Sequence, residues 1–198
     1  MEIISFKGGH DRNISYIIHN NKQALIIDPF KNTDIYLKKA KDLNLNLIGV
    51  INTHKHIDHI EGNKALKKSG IKIFNLENKS KIKLGKETIQ IITTPGHSPD
   101  CKCFLIDNNL FTGDVLLAKR VGMAFTKKDT PILYKSLQKL KALPKKTLIW
   151  PGHFYNSPFP FTLEEELKRN KYLQARNLKE FTKLIDYWRE YMKKRHEK

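Results

Sequence analysis

The residues at positions 54–59 read HKHIDH, so three histidines and one aspartate fall within six consecutive positions. The segment before them, 47–52, is short and apolar with β-branched side chains, which predicts a buried strand. The segment after them, 60–69, has the pattern of a short helix. The cluster is therefore expected in a loop between a strand and a helix, which is where open α/β folds bind their ligands.

The spacing of these four side chains suits metal binding. His54 and His56 are two residues apart, so an extended backbone would turn both imidazoles to the same side, where they could bind one ion. Asp58 and His59 fall where the chain turns into the helix and could reach a second ion. A single histidine is more often a surface or core residue than a ligand, but burying four such groups without a metal would leave charges and ring nitrogens unsatisfied.

Three further candidate ligands stand in glycine-containing turns, each after an apolar, strand-like run: His97 in TPGH, Asp114 in TGD and His153 in PGH. Together with the first four they supply the imidazole and carboxylate donors that zinc and iron accept. The sequence therefore predicts a centre for two divalent metal ions, with zinc favoured and iron or manganese as alternatives.

The H-x-H-x-D-H pattern, followed by a later His, Asp and His, resembles that of the metallo-β-lactamase superfamily. The resemblance implies an α/β fold, an αββα sandwich with a C-terminal helical tail, in which two mixed sheets pack together and the metal centre lies at one sheet edge. It also implies a division of the ligands. His54, His56 and His97 would bind the first ion, Asp58, His59 and His153 the second, and Asp114 would bridge both.

Three flanking segments resemble the glyoxalase II and persulfide dioxygenase branch of that superfamily: 94–99 (TPGHSP), 110–114 (LFTGD), and 151–153 (PGH) with the acidic run after Thr162. Glyoxalase II enzymes hydrolyse a glutathione thioester with a two-metal site. Persulfide dioxygenases use one iron and oxygen, and the resemblance would give that iron the ligands His54, His97 and Asp114. Two histidines and one carboxylate are the ligand set of non-haem iron oxygenases.

The donor set predicts a hydrolase, because a metal-bound hydroxide is a nucleophile at neutral pH. We assign catalytic roles to Asp58, which could also orient the hydroxide, and to Asp114, which would bridge the ions. The expected substrate is an ester, thioester, lactone, amide or phosphodiester, and the resemblance favours a thioester such as a hydroxyacylglutathione. The alternatives are a mononuclear iron persulfide dioxygenase, a metal-dependent nuclease or RNA-processing enzyme, and a non-catalytic binding module.

The segment 119–125 (KRVGMAF) departs from the Cys-Gly-Arg-like loop that the branch often carries there. The long glutathione-binding helical domain of full glyoxalase II enzymes is also reduced to one helical tail. These departures place glutathione itself in question. We nevertheless expect a small anionic substrate, with Arg120, Lys127, Lys128 and Tyr155 as the candidate binding residues.

The net charge of +17 arises mainly from lysine. Such a charge could attract nucleic acid, a membrane surface or an anionic substrate. The lysines are scattered rather than gathered with aromatic residues in one patch, which favours a general compositional bias. Nucleic acid is therefore an open but disfavoured partner, and the chain could be a monomer or a homodimer.

The chain of 198 residues suits one core domain, and we divide it into a metallo-β-lactamase-like domain, 1–161, and a helical extension packed on it, 162–198. Thr162 and Glu165 have the spacing of a capping box. Apolar side chains recur at three and four residues from Leu178 to Met192, which predicts a long helix. Its apolar stripe is expected to pack on the outside of the sandwich, with a dimer contact or a wall of the substrate cleft as alternatives.

No apolar run approaches the length of a membrane span, and the first residues lack the charged and apolar regions of a signal peptide. Cys101 and Cys103 are too close along an extended strand to bridge each other, and we expect them to pack as small hydrophobic residues rather than as ligands. These features predict a cytoplasmic protein that does not contact a membrane.

Overall fold

The computed structural model describes residues 1–155 and 157–196. The strands in these ranges are β1 (Glu2–Lys7), β2 (Ile14–Asn20), β3 (Gln23–Ile27), β4 (Asn46–Ile51), β5 (Lys81–Leu84), β6 (Glu87–Thr93), β7 (Lys102–Ile106), β8 (Asn109–Gly113), β9 (Leu116–Leu117), β10 (Arg120–Val121), β11 (Leu148–Pro151) and β12 (Phe161–Thr162). The α-helices in the same ranges are α1 (Asp34–Asp42), α2 (Ile57–Ile60), α3 (Asn63–Lys68), α4 (Asp129–Lys141), α5 (Leu163–Arg169), α6 (Lys171–Gln174) and α7 (Leu178–His196).

The strands form two large sheets and one small hairpin. The first sheet has the order β1-β2-β3-β4, in which β4 joins β3 in parallel and the other neighbours are antiparallel. The second has the order β12-β11-β8-β7-β6-β5, with one parallel pair, β8 and β11. Strands β9 and β10 form the antiparallel hairpin. Both large sheets are therefore mixed, as predicted.

Three groups of buried apolar side chains define the layers of the fold. The first group lies between the two sheets and includes Tyr16 of β2 and Phe111 of β8. The second joins the outer face of the first sheet to α1, where Tyr36 is fully buried. The third joins the outer face of the second sheet to α4 and α7, with Leu137 and Phe181 at its centre. This order of helix, sheet, sheet and helix confirms the predicted αββα sandwich.

The helix predicted at 60–69 is interrupted near its start. Helix α2 ends at Ile60 and α3 begins at Asn63. Between them, the Gly62 backbone N–H donates to the Pro29 carbonyl over 3.0 Å, and a Cβ at Gly62 would lie 2.3 Å from the Phe30 carbonyl oxygen. Contact with the segment after β3 therefore divides the helix, and only glycine fits at this point.

The sequence of segment 71–74 (IKIF) predicts a short strand, and this prediction is wrong. This segment contributes one isolated parallel bridge, from Ile73 to Val50 of β4. The Asn75 side-chain oxygen then accepts a hydrogen bond from the Glu77 backbone N–H over 2.9 Å. This turn directs the chain away from β4, so no longer strand can form.

The C-terminal extension begins with the predicted capping box at α5, in which Thr162 and Glu165 bond to each other's backbone N–H. Farther along, Phe181 and Ile185 of α7 are buried against the layer that contains α4. The division of the chain at residue 161 stays a prediction.

Within the described ranges, no helix is both long enough and apolar enough to cross a membrane.

Candidate metal centre

The seven candidate ligands follow strands of both sheets at one edge of the sandwich. His54 and His56 come directly after β4 of the first sheet, and Asp58 and His59 lie in the short helix α2 that follows. The other three come after strands of the second sheet. His97 follows β6, Asp114 follows β8 and His153 follows β11.

Two glycines allow these turns to approach each other closely. Gly113 has a φ of 48°, and a Cβ there would lie 2.4 Å from the Thr53 Oγ1 atom. A Cβ at Gly152 would lie 2.5 Å from Asp114 Oδ1 and 2.9 Å from His59 Cε1. Any larger residue at these positions would separate the candidate ligands, since real Cβ contacts are not this short.

One group of candidate ligands consists of His54, His56 and His97. One ring nitrogen from each lies within 4.8 Å of the others. His56 Nδ1 and His97 Nε2 are 3.0 Å apart. Three imidazoles that present their nitrogens to one point could hold a single divalent ion.

A second group consists of Asp58, His59 and His153, whose candidate ligand atoms also lie within 4.8 Å of one another. The Nε2 atoms of His59 and His153 are each 3.5 Å from Asp58 Oδ2. This set of one carboxylate and two imidazoles could hold a second ion.

Asp114 lies between the two groups. Its Oδ2 atom is 3.5 Å from His97 Nε2 and 3.2 Å from His153 Nε2. Its Oδ1 atom is 3.4 Å from His59 Nε2. A carboxylate in this position could contact both ions.

Three buried polar atoms at the centre make no hydrogen bond to any described residue: His54 Nε2, His59 Nε2 and Asp114 Oδ1. A buried polar group without a partner costs about 1–3 kcal/mol, and native proteins contain few of them. Divalent cations bound to the two groups would satisfy these atoms, and nitrogen with carboxylate oxygen is a donor set that zinc, iron and manganese accept. The residues present therefore fit a metal centre.

Protonation also differs across the centre. Burial, reinforced by the nearby His59, lowers the pKa of His54 to about 2, so that imidazole is neutral with a free lone pair. Burial opposes the charged form of His59, yet Asp114 and Asp28 raise the pKa of His59 well above its usual value. Burial also opposes ionisation of Asp114, but His59 and His153 hold the pKa of this carboxyl well below its usual range. Protons therefore compete with metal ions at His59 more than at His54.

Residues outside the predicted set fix the orientation of the imidazoles. Asp28, which is buried after β3, lies 2.9 Å from His59 Nδ1 and accepts hydrogen bonds from the Thr53 backbone N–H and hydroxyl. The Asp11 carbonyl accepts from His153 Nδ1 over 2.8 Å. With Nδ1 donating, each ring turns its Nε2 toward the centre. The loop 8–11, between the first two strands, is predicted from sequence to approach the site, but no contact was assigned to Asp11. Asp28 was missed because it lies 31 residues from the imidazole that it contacts.

Of the four candidate substrate-binding residues, two lie beside the metal centre and two make no contact with it in the described part of the chain. The Tyr155 ring stacks on His153 with centroids 5.2 Å apart, and the Arg120 Cζ atom lies 5.0 Å from the Tyr155 ring centroid. Lys127 and Lys128 are exposed before α4, and neither forms an ion pair or side-chain hydrogen bond within the described ranges. The structure thus brings Arg120 and Tyr155 to the centre, but it shows no contact that links either lysine to it.

Phe125, which was not among the predicted site residues, covers the side of the metal centre formed by His56 and His97. Phe125 is 55% exposed, and its ring centroid lies 6.0 Å from that of His56 and 5.6 Å from that of His97.

Cys101 and Cys103 are buried in the apolar layer beside α4. Burial raises the pKa of each thiol to about 12, which agrees with the predicted packing role rather than with metal binding.

Comparisons with known proteins agree with this geometry. Residues 8–73 match the model of the metallo-beta-lactamase superfamily. A hydroxyacylglutathione hydrolase of Pelagibacter ubique is 32% identical, over 88% of this chain and 93% of its own length. The mitochondrial persulfide dioxygenase ETHE1 of Bos taurus is also 32% identical, over 84% of this chain and 72% of its own length. The crystal structure of ETHE1 from Myxococcus xanthus superposes with a TM-score of 0.86 at 28% identity, covering 94% of this chain and 90% of that one.

Proposed function

The chain belongs to the metallo-β-lactamase superfamily, and on that basis we propose that it is a metal-dependent hydrolase that cleaves a thioester such as a hydroxyacylglutathione. The observation that carries this proposal is the convergence of seven imidazole and carboxylate side chains into two groups with Asp114 between them. A similarity to a hydroxyacylglutathione hydrolase along nearly the whole chain supports the choice of substrate class.

In this proposal the centre holds two divalent ions, with zinc the first choice. His54, His56 and His97 would hold one ion, Asp58, His59 and His153 the other, and Asp114 both. When bound, such ions lower the pKa of an attacking water and polarise the carbonyl under attack.

Asp58 is the residue that we propose orients the attacking water. Its Oδ2 atom accepts a hydrogen bond from the Asn13 side-chain amide over 3.2 Å, and this contact fixes the carboxylate beside His59 and His153. A carboxylate held there can take a proton from the water as the water adds to the thioester carbon. The carbon–sulfur bond then breaks, and the sulfur leaves as a thiol when it receives the proton.

Side chains on both sides of the centre would position the substrate. Phe125 would exclude water on the side of His56 and His97, because its ring lies over these two imidazoles. On the other side, Arg120 is exposed beside Tyr155 and would attract an anionic group of the substrate. We further propose a reducing compartment such as the cytoplasm, since Cys101 and Cys103 are free.

The first test is the metal content of protein purified without added metal. We expect about two zinc ions per chain and metal-dependent hydrolysis of a hydroxyacylglutathione. The protein after chelation and the same protein reloaded with zinc are the matched controls. Little metal, with none recovered when zinc or iron is added, would contradict the proposal.

The second candidate is a persulfide dioxygenase that uses one iron. The observation that favours it is the similarity to persulfide dioxygenase ETHE1, in sequence and in structure. The proposed iron ligands would be His54, His97 and Asp114, so His56 would not be needed. The variant His56→Ala therefore separates the two candidates. In the hydrolase it should reduce thioester hydrolysis by roughly 100-fold or more, whereas a dioxygenase should keep its iron and its oxygen uptake with a persulfide.

A further inference from the structure

A cavity of about 290 Å³ lies between the β9–β10 hairpin, α6 and α7. Three cationic side chains line it: Lys119, Arg120 and Lys171. Its other walls are mainly aromatic and include Tyr172 and Trp188. Within the described residues, the lining contains no carboxylate.

The positive charge in this cavity is not neutralised by the protein. In the described ranges, none of the three cations forms an ion pair with a carboxylate. The Lys171 Nζ atom lies 5.3 Å from the Tyr172 ring centroid, which offsets only part of its charge. The buried carboxylate of Glu166 in the adjoining helix α5 is already paired with Arg169.

One buried hydrogen-bond network fixes the backbone that carries all three cations. Glu166 and Asn170 are both 0% exposed. Glu166 Oε2 accepts from the Lys119 backbone N–H over 2.8 Å, and the Asn170 side-chain amide donates to the Arg120 carbonyl over 3.0 Å. Lys171 follows Asn170 directly and begins α6. The cations are therefore attached to rigid positions, which is a property of a built binding site rather than of a mobile basic surface.

The cavity is connected to the metal centre through stacked side chains. Arg120 lies over the Tyr155 ring at 5.0 Å, and that ring is nearly parallel to the imidazole of His153, with an angle of 4° between them. A molecule that reacts at the centre could therefore extend past Tyr155 and place its far end against Arg120.

We propose that this cavity binds a phosphate group at the far end of the substrate's thiol half; this inference rests on the proposed thioesterase function. Three cations that extend from a fixed backbone, without a carboxylate among them, match a phosphate dianion better than a single carboxylate, and the arginine fork suits phosphate oxygens. The volume lies at the lower end of the range of about 300–1,000 Å³ in which whole drug-sized ligands bind. The cavity therefore fits one charged group of a larger molecule, and the preferred substrate is a thioester of a phosphorylated thiol.

Direct binding tests the cavity without any catalysis. The probe is adenosine 3′,5′-bisphosphate, which has phosphate groups and no thiol, titrated into the metal-loaded protein by calorimetry, with adenosine as the uncharged comparison. We expect the bisphosphate to bind and adenosine not to bind. Arg120→Gln and Lys171→Gln should each weaken binding about tenfold, the loss of one charge-assisted hydrogen bond. Lys183→Gln removes an equal charge from an exposed position of α7 outside the cavity and should change nothing.

The absence of bisphosphate binding, or an equal effect of Lys183→Gln, would overturn the phosphate site even if the protein hydrolyses thioesters. Kinetics then tests the link to the substrate. With two thioesters that share one acyl group, Lys171→Gln should raise KM about tenfold for the phosphorylated thiol, leave kcat unchanged, and not affect the glutathione thioester. If the bisphosphate binds but KM does not change, the cavity takes a free phosphate compound, and the substrate part of the inference is wrong.

Discussion

The Asp28 carboxylate receives three hydrogen bonds at one point beside the metal centre. Its partners are the Thr53 backbone N–H, the Thr53 hydroxyl and the His59 ring, at 2.7, 2.5 and 2.9 Å. Asp28 also has a left-handed backbone, with a φ of 51°. Through these hydrogen bonds Asp28 links the end of β3 to the loop after β4 and to one candidate ligand.

We expect Asp28→Ala to weaken metal binding by about 10–100-fold, since the His59 ring loses the partner that orients it. The same change leaves buried donors unpaired and should cost about 1–3 kcal/mol of unfolding free energy. Metal retention against a chelator and urea unfolding measure the two effects. Asp34→Ala, at an exposed position in α1, is the matched control. Equal behaviour of the two variants would contradict the role of Asp28.

Metal affinity should fall as the solution becomes more acidic. Burial alone would lower the pKa of His59 and of His153, but nearby carboxylates raise both above the usual value. An entering ion must therefore displace protons from these rings. His54 adds nothing to this dependence, because its pKa is lowered to about 2. Competition with a chromophoric chelator of known proton affinity at several pH values measures the effect. An affinity that does not change between weakly alkaline and weakly acidic solution would contradict this assignment.

At the scale of single elements, the capping box at α5 is the feature whose energy is most directly testable. The Thr162 hydroxyl accepts from the Glu165 backbone N–H over 3.2 Å, and Glu165 Oε2 accepts from the Thr162 backbone N–H over 2.6 Å. Thr162→Ala should reduce the unfolding free energy by about 1 kcal/mol. Thr182→Ala, inside α7, is the control, because its hydroxyl bonds only to the preceding turn. A loss no larger than that of the control, measured by urea unfolding, would show that the cap does not stabilise the folded protein.

The elements that could be predicted from sequence are those whose signals are local. The capping box, the strand before His54 and the turns that carry His97 and His153 depend on residues that are neighbours in the chain, and the structure contains them. The break at Gly62 was missed because its cause, the Phe30 carbonyl, is 32 residues away. The wrong strand at 71–74 has a local cause, the turn at Asn75, whereas distance along the chain accounts for the missed break.

The same reason explains the incomplete prediction of the site. Seven candidate ligands were recognisable because four stand together in the 54–59 cluster and each of the other three follows an apolar run, but their outer partners belong to other parts of the fold. Phe125 gave no signal in the sequence, since its place over His56 and His97 depends on how the segment before α4 folds back over the centre. Lys127 and Lys128, chosen for charge alone, make no contact that connects them with the centre in the described structure.

At the scale of the whole molecule, the candidate metal centre joins the two halves of the sandwich. The segment with His54, His56, Asp58 and His59 extends from the first sheet, whereas His97, Asp114 and His153 follow strands of the second. The ligand set is complete only when the two sheets are packed together. Metal binding should therefore favour the folded sandwich over both the unfolded chain and any form with separated sheets.

Thermal unfolding at a series of buffered free zinc concentrations measures this coupling. Because the ion binds the folded state, its stabilisation should grow with the logarithm of free zinc, reaching about 4 kcal/mol at 1,000 times the dissociation constant. Both sheets should unfold in one transition that moves to higher temperature as zinc increases. His153→Ala, which removes a ligand contributed by the second sheet, should reduce the dependence on zinc. A Tm that is independent of zinc, or a second transition that zinc does not shift, would mean that the ions do not hold the two sheets together.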